Sequence, residues 1–470
     1  MRAIFKSVYE LDKRCYEEYK LNEDILMEHA AYSMALEIYK TLPKNSTINI
    51  VAGPGNNGAD GITLARILLG DYNINLYLPL GAKSNMAKLQ LERFLAIGGE
   101  IKREYKKCDC LVDAIFGSGL KRDLPKEIED IVRKMNKIEA FKIACDIPTG
   151  IDENGNLRPI AFKADVTITM GAKKLALYSD FAKDYVGKIK ETNLGVSFSK
   201  YAKKSDYYLI EKEDLILPIR KKQNSHKKTY GHLGVLLGEK KGAGIIAALS
   251  AFNFGAGLVS VVSHNEYINI PYEIMHSHHI KGFSALSFGM GLGKDFDDEL
   301  EEILELDIPM VIDADMFYKE IIKEFLSKKN IILTPHPKEF ANLLKIINMG
   351  EYSIEEIQKN RFKLAMEFSK KYPKVVLLLK GANKIIAYNK KLFIDSNGDV
   401  ALAKGGSGDV LAGMIGSLIA QGYHPLKATI HASLAHSIAG NYEPNYALTP
   451  TKLIERISNK RVFEDYIRRA

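Results

Sequence analysis

Four cysteines in 470 residues, Cys15, Cys108, Cys110 and Cys145, are too few to staple a chain of this length, which excludes a disulfide scaffold. Cys108 and Cys110 are spaced to share one strand face, and buried reduced thiols are the expectation. No run of about 18 apolar residues is present, so no helical membrane span is expected. The opening "MRAIFKSVYELDKRCYEEYK" is charged throughout and lacks the apolar centre of a secretory signal, which points to a cytoplasmic protein. A tract of one charge is missing too: 66 Lys and Arg against 58 Asp and Glu give a net +8 spread along the chain, which suits anionic small molecules. The densest basic stretch, "RKKQNSHKKTYGH" at 220–232, has no aromatic interleaving and reads as a solvated connector, so no nucleic-acid partner is expected. The cluster "HSHH" at 276–279 lacks a companion carboxylate or cysteine pattern and is assigned no metal. No repeat of 20–50 residues is visible.

With 46% hydrophobic and 26% charged residues, the chain is of globular type and long enough for more than one core. Residues 22–42 carry apolar side chains at mostly helical spacing, and "STINIVAG" then begins a strand. Apolar runs follow at 74–80, 108–117, 141–150 and 165–172, most of them separated by helix-length intervals. After a charged stretch at 199–222, strand candidates recur at 232–239, 257–263, 285–291, 309–315, 330–337 and 375–388. The fold class expected is therefore α/β, with two unlike domains, residues 1–210 and 211–470, each a largely parallel sheet covered by helices.

The stretch "GPGNNGADG" at 53–61 follows an apolar strand and precedes a helix, the place where open α/β sheets bind ligands. Gly53, Gly55, Gly58 and Gly61 remove side chains where something approaches the backbone. Asn56, Asn57 and Asp60 offer amides and a carboxylate suited to sugar hydroxyls or a cation. It matches neither the GxGxxG nor the P-loop pattern, and a tight turn alone needs fewer polar residues. Asp113 in "VDAIFGSGL" and Asp146 in "DIPTGID" close two further strands, with Thr149 and Asp152 just beyond, so three polar loops converge.

Those three motifs, in that order, resemble the NAD(P)H-hydrate epimerase family over residues 1 to about 210. The resemblance implies a Rossmann-like sheet and assigns the hydrated nucleotide to Asn56, Asn57, Gly58, Ala59 and Asp60, and to Gly117, Ser118, Gly119, Leu120, Lys121, Arg122 and Asp123. It places Asp146 near the reacting carbon and gives a potassium ion to Asn57, Asp113 and Thr149. Ala59 stands where the family usually has glycine, and Thr149 where serine is common.

In the second half, "AKGGSGDVLAGMIGSLIAQG" joins a glycine turn to an apolar, small-residue helix with Asp409 at the junction. Free backbone N–H groups of Gly405, Gly406, Ser407 and Gly408 make an anion hole, and a carboxylate beside it can take a proton from an attacking hydroxyl. His336 lies between two prolines in "TPHPKEF", Lys380 and Gly381 follow a strand, and "VIDADMF" supplies Asp313 and Asp315. From about residue 211 onward these stretches, with "KTYGHLGVLLGE", "FGAGLVSV" and "FGMGLG", resemble the ADP-dependent NAD(P)H-hydrate dehydratase family, which is ribokinase-like. Met290, Lys338 and Ser407 stand where proline, glycine and threonine are usual. The resemblance implies that Lys380, Gly381, Ala382, Asn383, Lys384 and Gly408 contact the adenine nucleotide, and that Ala256, Gly293, His336 and Asp409 contact the hydrate.

The two resemblances lie in the order of the fused bifunctional repair enzymes. They imply an enzyme that epimerises hydrated NADH or NADPH and dehydrates one epimer with ADP, with Asp409 and Asp146 catalytic. Potassium in the first domain, Mg2+ on the diphosphate and a homo-oligomer are the further expectations. The other readings are a ribokinase-like hydroxyl kinase with an appended nucleotide-sensing domain, and a first domain that only binds.

Overall fold

The computed structural model describes residues 1–104, 107–264, 269–294 and 296–469. It divides into two compact units, Ala3–Ser205 and Asp206–Ala470 with Met1–Arg2. In the first unit, seven parallel strands among the described residues run in the spatial order Ile101–Lys102, Asn73–Tyr77, Thr47–Ala52, Cys110–Ala114, Phe141–Cys145, Val166–Met170 and Lys188–Thr192. The strands Cys110–Ala114 and Val166–Met170 are buried along their whole length, as a sheet covered on both faces requires. The chain runs outward from Thr47–Ala52 on one side, then returns to pair Cys110–Ala114 on the other. That reversal makes the carboxyl ends of these two strands a topological switch point, where such sheets open a crevice.

Helix Asn56–Leu68 starts at this crevice and packs on the sheet through its glycines. A Cβ on Gly58 would overlap the Gly53 carbonyl, and one on Gly53 would overlap the Ile115 carbonyl. These positions are glycine because two backbones touch, whereas Gly55 and Gly119 face open space. All four cysteines are free and buried. Cys110 is in its strand, but Cys108 precedes it, and the two belong to different halves of the core, so they do not share a strand face.

The second unit has strands in the order Tyr207–Leu209, Lys391–Asp395, Lys384–Tyr388, Val376–Leu379, Ile331–Leu333, Met310–Ile312, Ala285–Phe288, His232–Leu236, Leu258–Val262 and Met275–Ser277. The apolar run 375–388 is two antiparallel strands, not one, folded back at Lys380–Asn383. Strand order reverses between His232–Leu236 and Ala285–Phe288, giving a second switch point. Helices Lys241–Asn253 and Ser407–Ala420 cross closely: a Cβ on Gly413 would overlap the Ala247 carbonyl, and Ser250 Oγ donates to the Val410 carbonyl at 2.7 Å. Among the described residues no helix is long and apolar enough to cross a membrane.

Candidate active sites

In the first unit a cavity of about 430 Å³ opens at the switch point, with Asn57, Asp60, Gly117, Asp146 and Lys174 in its wall. Asp113 ends its strand fully buried and accepts from Thr149 N and Thr149 Oγ1, both at 2.7 Å, and from Ile115 N at 3.2 Å. Burial pushes its carboxyl up to about 6, against the pull of the Thr149 hydrogen bonds. The Thr149 hydroxyl also lies 3.2 Å from the Phe116 carbonyl. Asp113, Thr149 and Phe116 therefore gather three oxygen types in one knot. Asn57 stands beside it, its Oδ1 2.8 Å from where a Gly117 Cβ would be, and its buried Nδ2 has no hydrogen-bond partner. The carboxylate, hydroxyl and carbonyl oxygens, with Asn57 Oδ1 beside them, are the donor set of a hard monovalent cation, whereas the unpartnered Asn57 Nδ2 is a donor and points to an acceptor oxygen of a ligand in the cavity.

Asp146 has φ of 67°, a left-handed backbone uncommon outside glycine, which swings its carboxylate out of the strand line. Its Oδ1 accepts from Met170 N at 3.1 Å and Thr169 Oγ1 at 3.3 Å, and it is ion-paired with Lys174. Lys174 is completely buried and also donates to the Met170 carbonyl at 2.6 Å. Nothing in the motifs marked Lys174; it follows Lys173 in "GAKKL", and only burial distinguishes the two. Asp60 is held well above the carboxylate range by burial and by the nearby Asp146. Its hydrogen-bond contact is a long one of 4.0 Å from the Cys145 thiol.

Other sequence-derived residues fall outside this cavity. Lys121, Arg122 and Asp123 are exposed, and Asp123 pairs with Arg158 at 3.7 Å. Asp152 is a turn residue: its carboxylate accepts from Asn154 N at 2.9 Å, Asn156 N at 2.8 Å and Arg158 Nε at 2.9 Å. Asn56, by contrast, is part of the cavity wall; it is exposed and donates to Glu23.

In the second unit, Gly406 takes the left-handed conformation, φ 87°, and is the cap of helix Ser407–Ala420; of the four N–H groups expected to be free, that of Ser407 is not, since it donates to the Lys404 carbonyl at 3.2 Å. Lys380 Nζ lies 3.5 Å from where a Gly408 Cβ would be, so a cation sits over this glycine turn. That ammonium donates to Asp313 Oδ1 at 2.8 Å and lies 3.9 Å from Glu339. Asp409 is in the first helical turn; burial and the Asp313 charge push its carboxyl up to about 7, while Lys380 pulls it down. Glu339 is likewise raised to about 7, chiefly by burial. His336 caps helix Pro337–Ile346, its Nδ1 accepting from Glu339 N at 3.2 Å, and burial holds its imidazole below the usual range.

A cavity of about 460 Å³ lies at the second switch point, lined by Glu239, Lys240, Gly291, Gly293, Asp315 and Tyr318. Asp315 Oδ2 accepts from Gly293 N at 3.0 Å, so the segment Asp313–Asp315 joins the lysine cluster to this cavity. Between them Ala314 has φ of 47°, which costs strain for an alanine and fixes the direction of both aspartates.

Two assignments need correction. Ala256 is 1% exposed in the core, at the amino-terminal end of strand Leu258–Val262, whereas the site gathers at carboxyl ends. The residue at the site end is Ala243, opposite Gly291, near the start of helix Lys241–Asn253. Lys384 points its ammonium inward to Asp395, the Ser433 carbonyl and Ser437, so its side chain does not meet a nucleotide. Gly381 and Ala382 are exposed, while Asn383 is buried with its carbonyl accepting from Arg361 at 3.0 Å. Arg361 also holds the Lys380 carbonyl at 3.0 Å, which rigidifies the hairpin turn carrying Lys380.

Comparison with known proteins agrees with this division. Residues 23–176 match the family described as YjeF-related protein N-terminus, and residues 233–460 match the NAD(P)H-hydrate dehydratase family. The chain is 45% identical over 469 residues to the Helicobacter pylori bifunctional NAD(P)H-hydrate repair enzyme Nnr, covering 97% of this chain and 99% of that one. It is 31% identical to the Dictyoglomus turgidum enzyme of the same name, covering 96% of each. Among solved structures, the Bacillus subtilis ADP/ATP-dependent NAD(P)H-hydrate dehydratase co-crystallised with ATP/Mg2+ aligns over 55% of this chain and 98% of its own, with 25% identity and a TM-score of 0.47. The chain belongs to the family of bifunctional NAD(P)H-hydrate repair enzymes.

Proposed function

We propose that the unit Ala3–Ser205 interconverts the R and S forms of hydrated NAD(P)H, and that Asp206–Ala470 dehydrates the S form with ADP, yielding NAD(P)H, AMP and phosphate. The observation that carries this reading is Asp409: a carboxyl poised at about 7, beside a glycine turn with free N–H groups and the Lys380 ammonium. In the second unit Asp409 takes the proton of the hydrate hydroxyl as its oxygen bonds to the β-phosphorus of ADP. The bond from that phosphorus to the bridging oxygen breaks and AMP leaves. The ring nitrogen lone pair then expels phosphate, and loss of a proton from the neighbouring carbon restores the dihydropyridine. Lys380 and the N–H groups of Gly405, Gly406 and Gly408 stabilise charge on the transferring group.

Mg2+ bound to the diphosphate supplies charge neutralisation. Among the described residues no cluster of three or more His, Cys, Asp or Glu is arranged for a metal, so the fit is to an ion that arrives with its nucleotide. In the first unit Asn57, Asp113, Thr149 and the Phe116 carbonyl would hold potassium, which would orient the hydrated nucleotide beside Asp146. Buried free thiols suit a reducing, cytoplasmic setting.

The test supplies purified hydrate and ADP. AMP, phosphate and the absorbance of reduced cofactor should appear together. A stable phosphorylated product from ATP without restored absorbance would mean a hydroxyl kinase instead.

A further inference from the structure

The cavity that holds Asp146 and Lys174 has another carboxylate in its wall, one that no loop motif marks. Asp12 belongs to the helix Tyr9–Glu17 and lines the same space as Asn57, Asp60 and Asp146. The Tyr201 hydroxyl donates to Asp12 Oδ1 at 2.6 Å. Tyr201 is only 1% exposed, so this anchor is fixed and one Asp12 oxygen remains for the cavity. Asp12 and Asp60 also share the wall of an adjoining space of about 120 Å³, with Tyr16 and Glu23. The charges around Asp12 are Lys174, Asp146 and Glu23; burial raises its carboxyl, the Tyr201 hydrogen bond and the Lys174 charge oppose the rise, and the two acids add to it.

Inverting a hydroxyl-bearing carbon through loss and return of water needs acid–base help twice: a proton for the departing oxygen, and an acceptor when water adds to the other face. One carboxylate–lysine pair fixed to the end of one strand serves one of these steps. We propose that Asp12, anchored by Tyr201 and supported by Asp60, is the second catalytic acid–base group of the epimerase cavity, working with Asp146. This rests on the epimerase reading of the first unit. In one direction the C–O bond breaks, its electron pair leaves with oxygen, and the Asp12 proton completes a water molecule. The ring nitrogen lone pair then conjugates with the cationic carbon. Water adds to the opposite face, its oxygen forming the new bond and its proton passing to the Asp146 carboxylate. Exchange with solvent resets both groups, and the reverse direction exchanges their roles.

The variant Asp12→Asn keeps the volume and the acceptor for Tyr201 while removing the proton. Full-length chain and one purified epimer are mixed without ADP, and appearance of the other epimer is followed. We expect kcat to fall by at least about a hundredfold while KM stays within about threefold, the signature of a group lost from the transition state. Asp12→Glu should recover part of the rate, and Tyr201→Phe should lower kcat by about tenfold through a misdirected Asp12. An Asp12→Asn chain that melts with wild type and retains kcat within about tenfold overturns the proposal. If Asp12→Asn misfolds, an unchanged kcat in Tyr201→Phe overturns it instead. A wild-type chain that does not interconvert the epimers at all refutes the epimerase reading, which separates the two failures.

Discussion

Replacing Asp409 by Asn is the most informative single change, because the structure gives this side chain chemistry and little architecture. It is ordered by its place in the first turn of Ser407–Ala420, and the cap position is Gly406, not Asp409. Asn preserves shape and removes the proton acceptor. Losing a positioned base costs on the order of a hundredfold to ten-thousandfold, which corresponds to about 3–5 kcal/mol in the barrier. Stability should move the other way. Burial raises the folded carboxyl to about 7 from an ordinary 3.8, so the native state binds this proton more tightly than the unfolded chain. Its favourable contribution is complete below the ordinary value and is lost as pH rises toward about 7. Asn does not titrate, so at pH about 8 the variant should melt no lower than wild type. The assay is ADP-dependent restoration of reduced cofactor, with ADP binding and the melting curve recorded on the same sample. A folded, ADP-binding Asp409→Asn chain with activity within about tenfold of wild type would refute the assignment.

Dehydratase kcat should fall below pH about 7 as Asp409 becomes protonated, and Lys380→Met should move that limb to higher pH by removing the cation that favours the ionised form; a limb that stays in place contradicts the pairing. Potassium should raise the melting temperature of the first unit and its epimerase rate, and Asp113→Asn should abolish both responses; identical melting in potassium-free buffer would argue against the ion. Lys174→Met leaves the buried Asp146 charge uncompensated and should destabilise the first unit by about 3–5 kcal/mol in denaturant titration, while a loss under about 1 kcal/mol would contradict a buried pair. Gly58→Ala places a Cβ against the Gly53 carbonyl and should cost about 1–3 kcal/mol or more, read by the same titration. We also expect fragments 1–205 and 206–470 each to give a cooperative melt, and two unfolded fragments would count against separate units.

The parts legible in the sequence are those where backbone or solvation requirements leave few choices of residue. Gly53 and Gly58 are forced by carbonyls that meet a Cβ, so the loop announces itself. Cys110–Ala114 and Val166–Met170 read as strands because both faces are covered, which leaves them short, largely apolar or β-branched runs. Lys188–Thr192 was not legible, since its charged and partly exposed residues look like a connector, and Lys391–Asp395 was not because its buried apolar stretch Leu392–Ile394 is only three residues long between charged ends. Lys174 was hidden because a lysine's burial depends on the partner that a distant strand end supplies. Ala256 was misplaced because similar small-residue runs occur at both ends of helix Lys241–Asn253, and only the sheet says which end faces the site. Lys384 looked like a ligand contact because alternation along a strand does not reveal that its inner face holds Asp395.

The most direct test of a two-site repair enzyme uses an equal mixture of the two hydrate epimers, ADP and the full-length chain. Wild type should convert all of it to reduced cofactor. Asp146→Asn should stop at half, leaving one epimer to drain only at the slow rate of spontaneous interconversion, and Asp409→Asn should restore none. Complete conversion by Asp146→Asn at the wild-type rate, or a wild-type reaction that itself stops at half, would contradict the division of labour between the two units.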